Sequence, residues 1–124
     1  MPKTRKAKDL TGKGLALACA REAAEKKAEN ILVLDMRAIS SIADYFVICS
    51  GSSTRQVKAI AESIVEEARG GGARCWHREG WADGRWIVID FSDVIVHVFQ
   101  DDARRYYQIE RLWGDAKSVG LGRG

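Results

Sequence analysis

The sequence predicts an α/β fold, of the mixed α+β kind, in which a mixed sheet of about five strands is covered by helices. Five short apolar runs contain the β-branched and aromatic residues typical of buried strands. Other segments repeat apolar residues at the i, i+3, i+4 spacing of an amphipathic helix. One helical segment separates the second strand from the third, whereas the later strands follow one another closely. The sheet should therefore contain both parallel and antiparallel pairs.

The first two helices are predicted from their apolar spacing and their end signals. Residues 11 to about 28 repeat small apolar side chains on one side, with charged residues opposite. Ser53 opens an S-x-x-Q capping box with Gln56, and a helix over 54–69 follows. The three glycines at 70–72 supply the permissive backbone that ends this helix.

Five strands complete the predicted sheet. They are residues 31–35, 45–50, 73–77, 86–90 and 93–99. The last two flank Phe91-Ser92 and are predicted to form a hairpin. The predicted order, including a final helix, is α-β-β-α-β-β-β-α.

The final helix is predicted from Asp101 and Asp102, whose carboxylates favour a helix start, to Gly114. Helical spacing divides its larger side chains into two sets. The apolar side consists of Tyr106, Ile109, Leu112 and Trp113, and the exposed side of Arg104, Tyr107 and Arg111.

The composition predicts one domain over residues 10–114, with a basic flexible segment at 1–9 and a flexible tail at 115–124. The 124 residues are 46% hydrophobic and 30% charged, as in an ordinary globular domain. The net charge of +3 is concentrated at the start, because residues 14–114 hold 13 Lys and Arg against 15 Asp and Glu. This slightly acidic folded part disfavours RNA binding as the main function, so any RNA contact should be peripheral.

Several classes of protein are disfavoured by the apolar runs and the cysteines. No run approaches the ~20 apolar residues of a membrane span, and the charged start lacks the apolar segment of a secretory signal. Cys19, Cys49 and Cys75 are odd in number and lie in apolar stretches, as expected of buried, reduced thiols. We therefore expect a cytoplasmic protein without disulfides.

Catalysis is not predicted, and neither is a metal or a cofactor. The chain lacks P-loop, GxGxxG, HExxH, GxSxG and zinc-type Cys/His motifs. Gly51-Ser52 lies between a strand and a helix, where nucleotidyltransferases carry a phosphate-holding turn followed by two metal-binding carboxylates. Here Thr54, Arg55 and Gln56 occupy the positions of those acids, and Asp90 alone cannot hold two metal ions.

Two aromatic residues of the hairpin leave two interpretations open. His97 shares a strand face with Ile95 and Phe99, so it is either a core histidine or a surface group. With no second histidine at ligand spacing, a metal role is disfavoured. Trp86 is either a cover of the core or the apolar anchor of an interface.

The order and spacing of seven blocks resemble the ribosomal silencing factor (Iojap-like) family, from about Leu15 to Trp113. The blocks are Leu34-Asp35, Ser41-Ile42-Ala43-Asp44, the 47–53 segment, Glu79-Gly80, Trp86 to Asp90, Asp93 to Phe99, and Arg105-x-Tyr107-x-x-Glu110-x-x-Trp113. One departure concerns the hairpin turn, where Ser92 stands at a position that usually holds glycine.

The resemblance implies a nucleotidyltransferase-like fold without the catalytic acids. It also implies binding to large-subunit ribosomal protein number fourteen, at the face where the small subunit docks. Such binding would block subunit association sterically and repress translation when nutrients are scarce. The length of the chain leaves a homodimer possible when the protein is free. A ribosome-assembly accessory and a divergent nucleotidyltransferase are the alternatives.

A binding face is predicted on the hairpin. Trp86 and Asp90 share a strand face by alternation, and His97 lies on the strand that pairs with theirs. We predict that Trp86 is the apolar anchor, that Glu79, Asp90 and His97 provide polar contacts, and that Arg104 and Tyr107 lie on the adjoining edge.

Overall fold

A computed structural model describes residues 10–120; the predicted basic segment 1–9 and the last four residues of the predicted tail lie outside the described part. The helices are α1 (Gly12–Glu25), α2 (Thr54–Gly70), α3 (Asp101–Tyr107) and α4 (Ile109–Leu112). The strands are β1 (Glu29–Asp35), β2 (Tyr45–Gly51), β3 (His77–Glu79), β4 (Trp86–Asp90), β5 (Val94–Gln100) and β6 (Lys117–Ser118). No helix within residues 10–120 is long and apolar enough to cross a membrane.

The described strands form one mixed sheet in the order β3-β4-β5-β2-β1-β6. Only the central β2–β5 pair is parallel, and the chain between these two strands includes the α2 crossover and the edge strand β3. The other pairs are antiparallel, and β4 and β5 form the predicted hairpin. The predicted mixed α/β fold is confirmed, with six strands in place of about five.

The two faces of the sheet are covered to different extents. Helices α1 and α2 cover one face, where their apolar sides pack on inward residues of β2, β4 and β5 such as Val47, Ile87 and Val96. The opposite face carries a smaller apolar cluster that includes Phe46 and Phe99 and is covered by the short helices α3 and α4, the segment that follows them and the β1–β2 connection. This second face is called the open face below.

Helices α1 and α2 end in the same way. The amide of Ala28 donates to the carbonyl of Ala23, and the amide of Ala73 donates to that of Ala68, at 2.9 Å in each case. This six-to-one bond marks the Schellman motif, which needs a left-handed residue just before the donor. That residue is Gly72 (φ +86°) after α2 and Lys27 (φ +66°) after α1.

Two strands differ from the prediction. The third strand is His77–Glu79 and not 73–77, because only one bond, from the Trp76 amide to the Asp90 carbonyl, precedes the regular ladder with β4. Strand β6 lies in the segment predicted to be a flexible tail, where Lys117 pairs with Asp35 of β1. A two-residue polar strand has no apolar alternation that could predict it.

The predicted final helix is broken at Gln108, which takes a left-handed conformation (φ +45°, ψ +47°). The break rotates the following turn, so that Ile109 is buried and Trp113 packs on the open-face cluster as predicted. Tyr106 and Leu112, predicted to lie on the apolar side, are exposed instead. The prediction failed because a single helical period does not extend through the break.

The cysteines are free thiols, as predicted, but only two of them are buried. Cys19 and Cys49 are enclosed in the main core, and burial raises the pKa of each thiol to about 12. Cys75 is only half-buried, because it lies beside the sheet edge. Within residues 10–120 no cluster of His, Cys, Asp or Glu side chains is arranged to bind a metal ion.

Candidate protein-binding face

Four of the six predicted site residues lie on the open face of the sheet. Directly opposed residues of antiparallel strands point to the same side, so the strand register decides this placement. The opposed pairs are Glu79–Val88, Val88–His97, Asp90–Ile95 and Trp86–Phe99. The alternation argument therefore placed Trp86, Asp90 and His97 correctly, and strand β3 adds Glu79 to the same side.

Trp86 is the centre of a cluster of aromatic rings. Its ring centroid lies 4.8 Å from that of Phe99 and 4.9 Å from that of Tyr107. Tyr107 is 50% exposed, and its neighbour Tyr106, whose ring meets it edge-on at 5.0 Å, is 80% exposed. Trp86, Tyr106 and Tyr107 are called the aromatic patch below; Trp86 is half-buried, so it both covers the core and reaches the surface.

His97 is a core histidine that positions Trp86. The indole Nε1–H of Trp86 donates to Nδ1 of His97 at 3.1 Å, which leaves the imidazole proton on Nε2. The side chain is only 8% exposed, and burial lowers the pKa of His97 to about 4. His97 is therefore neutral near pH 7 and offers almost no surface to a partner, contrary to its predicted role in polar contacts.

Arg104 does not lie on the exposed edge predicted for it. Its side chain is 11% exposed and is held between elements that are distant in sequence. The guanidinium donates to the carbonyl of Asn30 at 2.7 Å, to Oγ of Ser50 at 2.8 Å and to Glu110 at 3.2 Å. Arg104 thus fixes α3 and α4 against the ends of β1 and β2, while Arg105 forms the surface pair with Asp102.

Acidic groups border the aromatic patch on the hairpin side. Glu79 is exposed, and one carboxylate oxygen lies 2.8 Å from Nε2 of His77. Gly80, at φ +81°, sits so close to β4 that an added Cβ would lie 2.0 Å from the Trp86 carbonyl oxygen. Glycine is therefore required after Glu79, since only a residue without a side chain lets this segment lie so close to β4.

Asp90 has a structural partner within its own turn. Its carboxylate accepts a hydrogen bond from the Ser92 amide at 2.7 Å, which stabilises the hairpin turn. Ser92 takes φ +82°, a conformation that suits glycine. Ser92 therefore takes the backbone conformation of a turn glycine although it carries a side chain.

The Gly51-Ser52 turn is filled by a side chain of the protein itself. Oε1 of Gln56 accepts from the Ser52 amide at 2.7 Å and from the Ser52 hydroxyl at 3.0 Å. The predicted cap is present as well, because the Ser53 hydroxyl accepts from the Gln56 amide. The donors that would hold a phosphate in a nucleotidyltransferase are therefore satisfied internally.

Comparison with known proteins gives a consistent result. Residues 9–123 match the family model described as "Ribosomal silencing factor during starvation". A Bacillus subtilis protein named ribosomal silencing factor RsfS is 50% identical over 97 residues, which cover 78% of this chain and 82% of that protein.

Two crystal structures also resemble the chain. One, from Bacillus halodurans, has 40% sequence identity and a TM-score of 0.73, and the match covers 86% of this chain and 93% of that one. The other, from Chromobacterium violaceum, has 31% identity and a TM-score of 0.79, covering 89% and 91%.

Proposed function

The chain belongs to the ribosomal silencing factor family, and from this premise we propose that it binds ribosomal protein number fourteen of the large subunit through the open face. Bound there, it blocks docking of the small subunit and represses translation when nutrients are limited. The block is steric and needs no chemical step. A ribosome-bound role also places the protein in the cytoplasm.

The observation that supports this proposal most strongly is the aromatic patch. Aromatic residues dominate the energetics of protein interfaces, and the most effective are held rigidly in the free protein. Tyr107 is packed against Trp86, and Trp86 is fixed by His97 and Phe99. A partner therefore meets a preformed surface and loses little conformational freedom of these side chains on binding.

The charges around the patch support a basic partner. Glu79 is exposed next to the Trp86 strand beside His77, and Asp102, one turn before Tyr106, forms a solvent-exposed pair with Arg105. Such exposed pairs contribute little and are readily exchanged for a cation of a partner. Ribosomal proteins are generally basic because they bind RNA, and complementary charge accelerates such encounters more than it strengthens the complex.

A binding role is favoured over the alternative of a divergent nucleotidyltransferase. Gln56 occupies the donors of the Gly51-Ser52 turn, and Asp90 is engaged in the hairpin turn. Two-metal phosphoryl transfer requires several free oxygen ligands. When no ribosome is available, we propose that a second copy of the chain covers the same aromatic patch.

Subunit joining tests the proposal. Purified small and large subunits are mixed in a stopped-flow instrument, and their association is followed by light scattering. Excess wild-type protein should prevent the rise in scattering, and a Tyr106→Ala/Tyr107→Ala double variant should restore it. Ile42→Ala is the matched control, since Ile42 is 65% exposed but lies near the start of β2, away from the patch. Normal joining in the presence of wild-type protein bound to large subunits would refute the steric block.

A further inference from the structure

A cleft of about 530 Å³ lies on the other side of the molecule, between the end of α2 and the edge strand β3. Its lining includes Arg69, Arg74, Trp76 and Arg78. From residue 69 to residue 78 the sequence contains three arginines and no acidic residue. The slightly acidic balance of the whole domain thus conceals a basic region at this edge.

Two of the three arginines of the cleft lie over indole rings. The guanidinium carbon of Arg74 lies 4.2 Å from the ring centroid of Trp76, and that of Arg78 lies 4.7 Å from the centroid of Trp81. Trp76 is 59% exposed, an unusual degree for tryptophan. Each stack presents a flat surface that carries both a π system and cationic N–H donors.

The charges of the cleft are largely free to meet a ligand. Within the described part of the chain, Arg74 and Arg78 form no salt bridge. Arg69 forms a long, solvent-exposed pair with Glu66, in which the nitrogen and oxygen are 3.8 Å apart. Such exposed pairs contribute little and are readily exchanged for another anion. The positive charge of the cleft is therefore available to an anionic ligand.

The basic start of the chain joins the fold beside this cleft. The Leu10 amide donates to the carbonyl of Gly71, and the Leu10 side chain packs on that glycine, next to the cleft residue Gly72. Residues 1–9 carry four Lys and Arg against one Asp. Leu10, at which the described part of the chain begins, therefore lies beside the cleft.

We propose that this cleft binds single-stranded RNA. Unpaired bases stack on aromatic rings and on guanidinium planes, while arginine contacts the phosphates. An acidic peptide would need the charge but not the exposed Trp76 plane, and a duplex would hide its bases from that plane. Arg78 and Glu79 alternate on β3, so Arg78 lies on the side of Ile89 and Glu79 on the open face. RNA and a protein partner can therefore be bound together, on opposite sides of the sheet.

The test measures binding of a fluorescein-labelled single-stranded 12-mer RNA to the full chain by anisotropy. Trp76→Ala should weaken binding about tenfold or more, in the range found for single stacked bases, and Trp76→Phe should restore most of it. Arg74→Lys keeps the charge but loses the planar guanidinium, so it should fall between wild type and Arg74→Ala. Removing Arg69, Arg74 and Arg78 together should reduce the salt slope by about 2.

Tyr107→Ala, on the opposite face, is the matched control and should bind RNA as the wild type does. This assay contains no ribosomal protein, so its result is independent of the proposed function. The inference is overturned if single-stranded RNA does not bind, or if duplex RNA or polyglutamate competes as well as the single strand. It is overturned equally if Trp76→Ala leaves binding unchanged while deletion of residues 1–9 abolishes it.

Discussion

The indole of Trp86 donates its Nε1–H to Nδ1 of His97 across the β4–β5 ladder at 3.1 Å. This bond joins a residue that reaches the surface to one that is almost completely buried. His97 thereby fixes the orientation of the ring on which Tyr107 packs. The rigidity of the aromatic patch depends on a histidine that a partner does not need to touch.

The first prediction concerns stability at low pH. Burial lowers the pKa of His97 from 6.5 to about 4, so between these pH values the unfolded chain binds a proton that the folded chain does not. The contribution of neutral His97 to the free energy of unfolding is therefore fully present above pH 6.5. It is lost as the pH drops toward 4, by about 3 kcal/mol in total. His97→Asn keeps an acceptor for Trp86 and cannot titrate.

Urea unfolding of wild type and His97→Asn at pH 7 and pH 4.5 measures this effect. The variant should be less stable at pH 7, because the smaller side chain leaves a cavity, but its further loss on acidification should be smaller by about 2 kcal/mol. Equal losses in both proteins would show that His97 does not govern the acid sensitivity.

The second prediction concerns the hairpin turn. Ser92 takes φ +82°, which costs about 1 kcal/mol for a residue with a side chain but little for glycine. Ser92→Gly should therefore raise the free energy of unfolding by up to about 1 kcal/mol, measured by urea denaturation at pH 7. A destabilised variant would mean that the serine side chain makes a compensating contact.

The third prediction concerns Gly80. An alanine Cβ there would lie 2.0 Å from the Trp86 carbonyl oxygen at a left-handed φ, so Gly80→Ala should cost at least about 2 kcal/mol of stability. It should also displace Glu79 and weaken partner binding. Gly70→Ala is the control, since nothing lies within 4 Å of its added Cβ; similar thermal melting curves for the two variants would contradict this account.

Local patterns were sufficient to predict most of the fold. The helical spacing of 54–69 and its Ser53 cap predicted α2. The alternating direction of side chains along a strand predicted the shared face of Trp86, Asp90 and His97. Both patterns depend on neighbours within a few residues, so they are visible in a sequence.

The wrong predictions share a different cause. Arg104 was expected to be exposed, but its partners Asn30 and Ser50 are 74 and 54 residues away, and no local period reveals such contacts. The break at Gln108 was equally invisible, because glutamine has no marked preference for the left-handed conformation it takes. As a result Tyr106, the most exposed member of the aromatic patch, was assigned to the core.

The most direct test of the account is the affinity of the protein for isolated ribosomal protein number fourteen, measured by calorimetry together with the melting temperature of each variant. Tyr107→Ala should lose about 2 kcal/mol of binding, roughly thirtyfold in affinity, with little change in melting temperature because its side chain is half exposed. Trp86→Ala should lose at least as much and should also melt earlier, whereas Ile42→Ala should match the wild type in both measurements. Unchanged affinity in a folded Tyr107→Ala/Trp86→Ala double variant would contradict the proposal that the aromatic patch is the binding site.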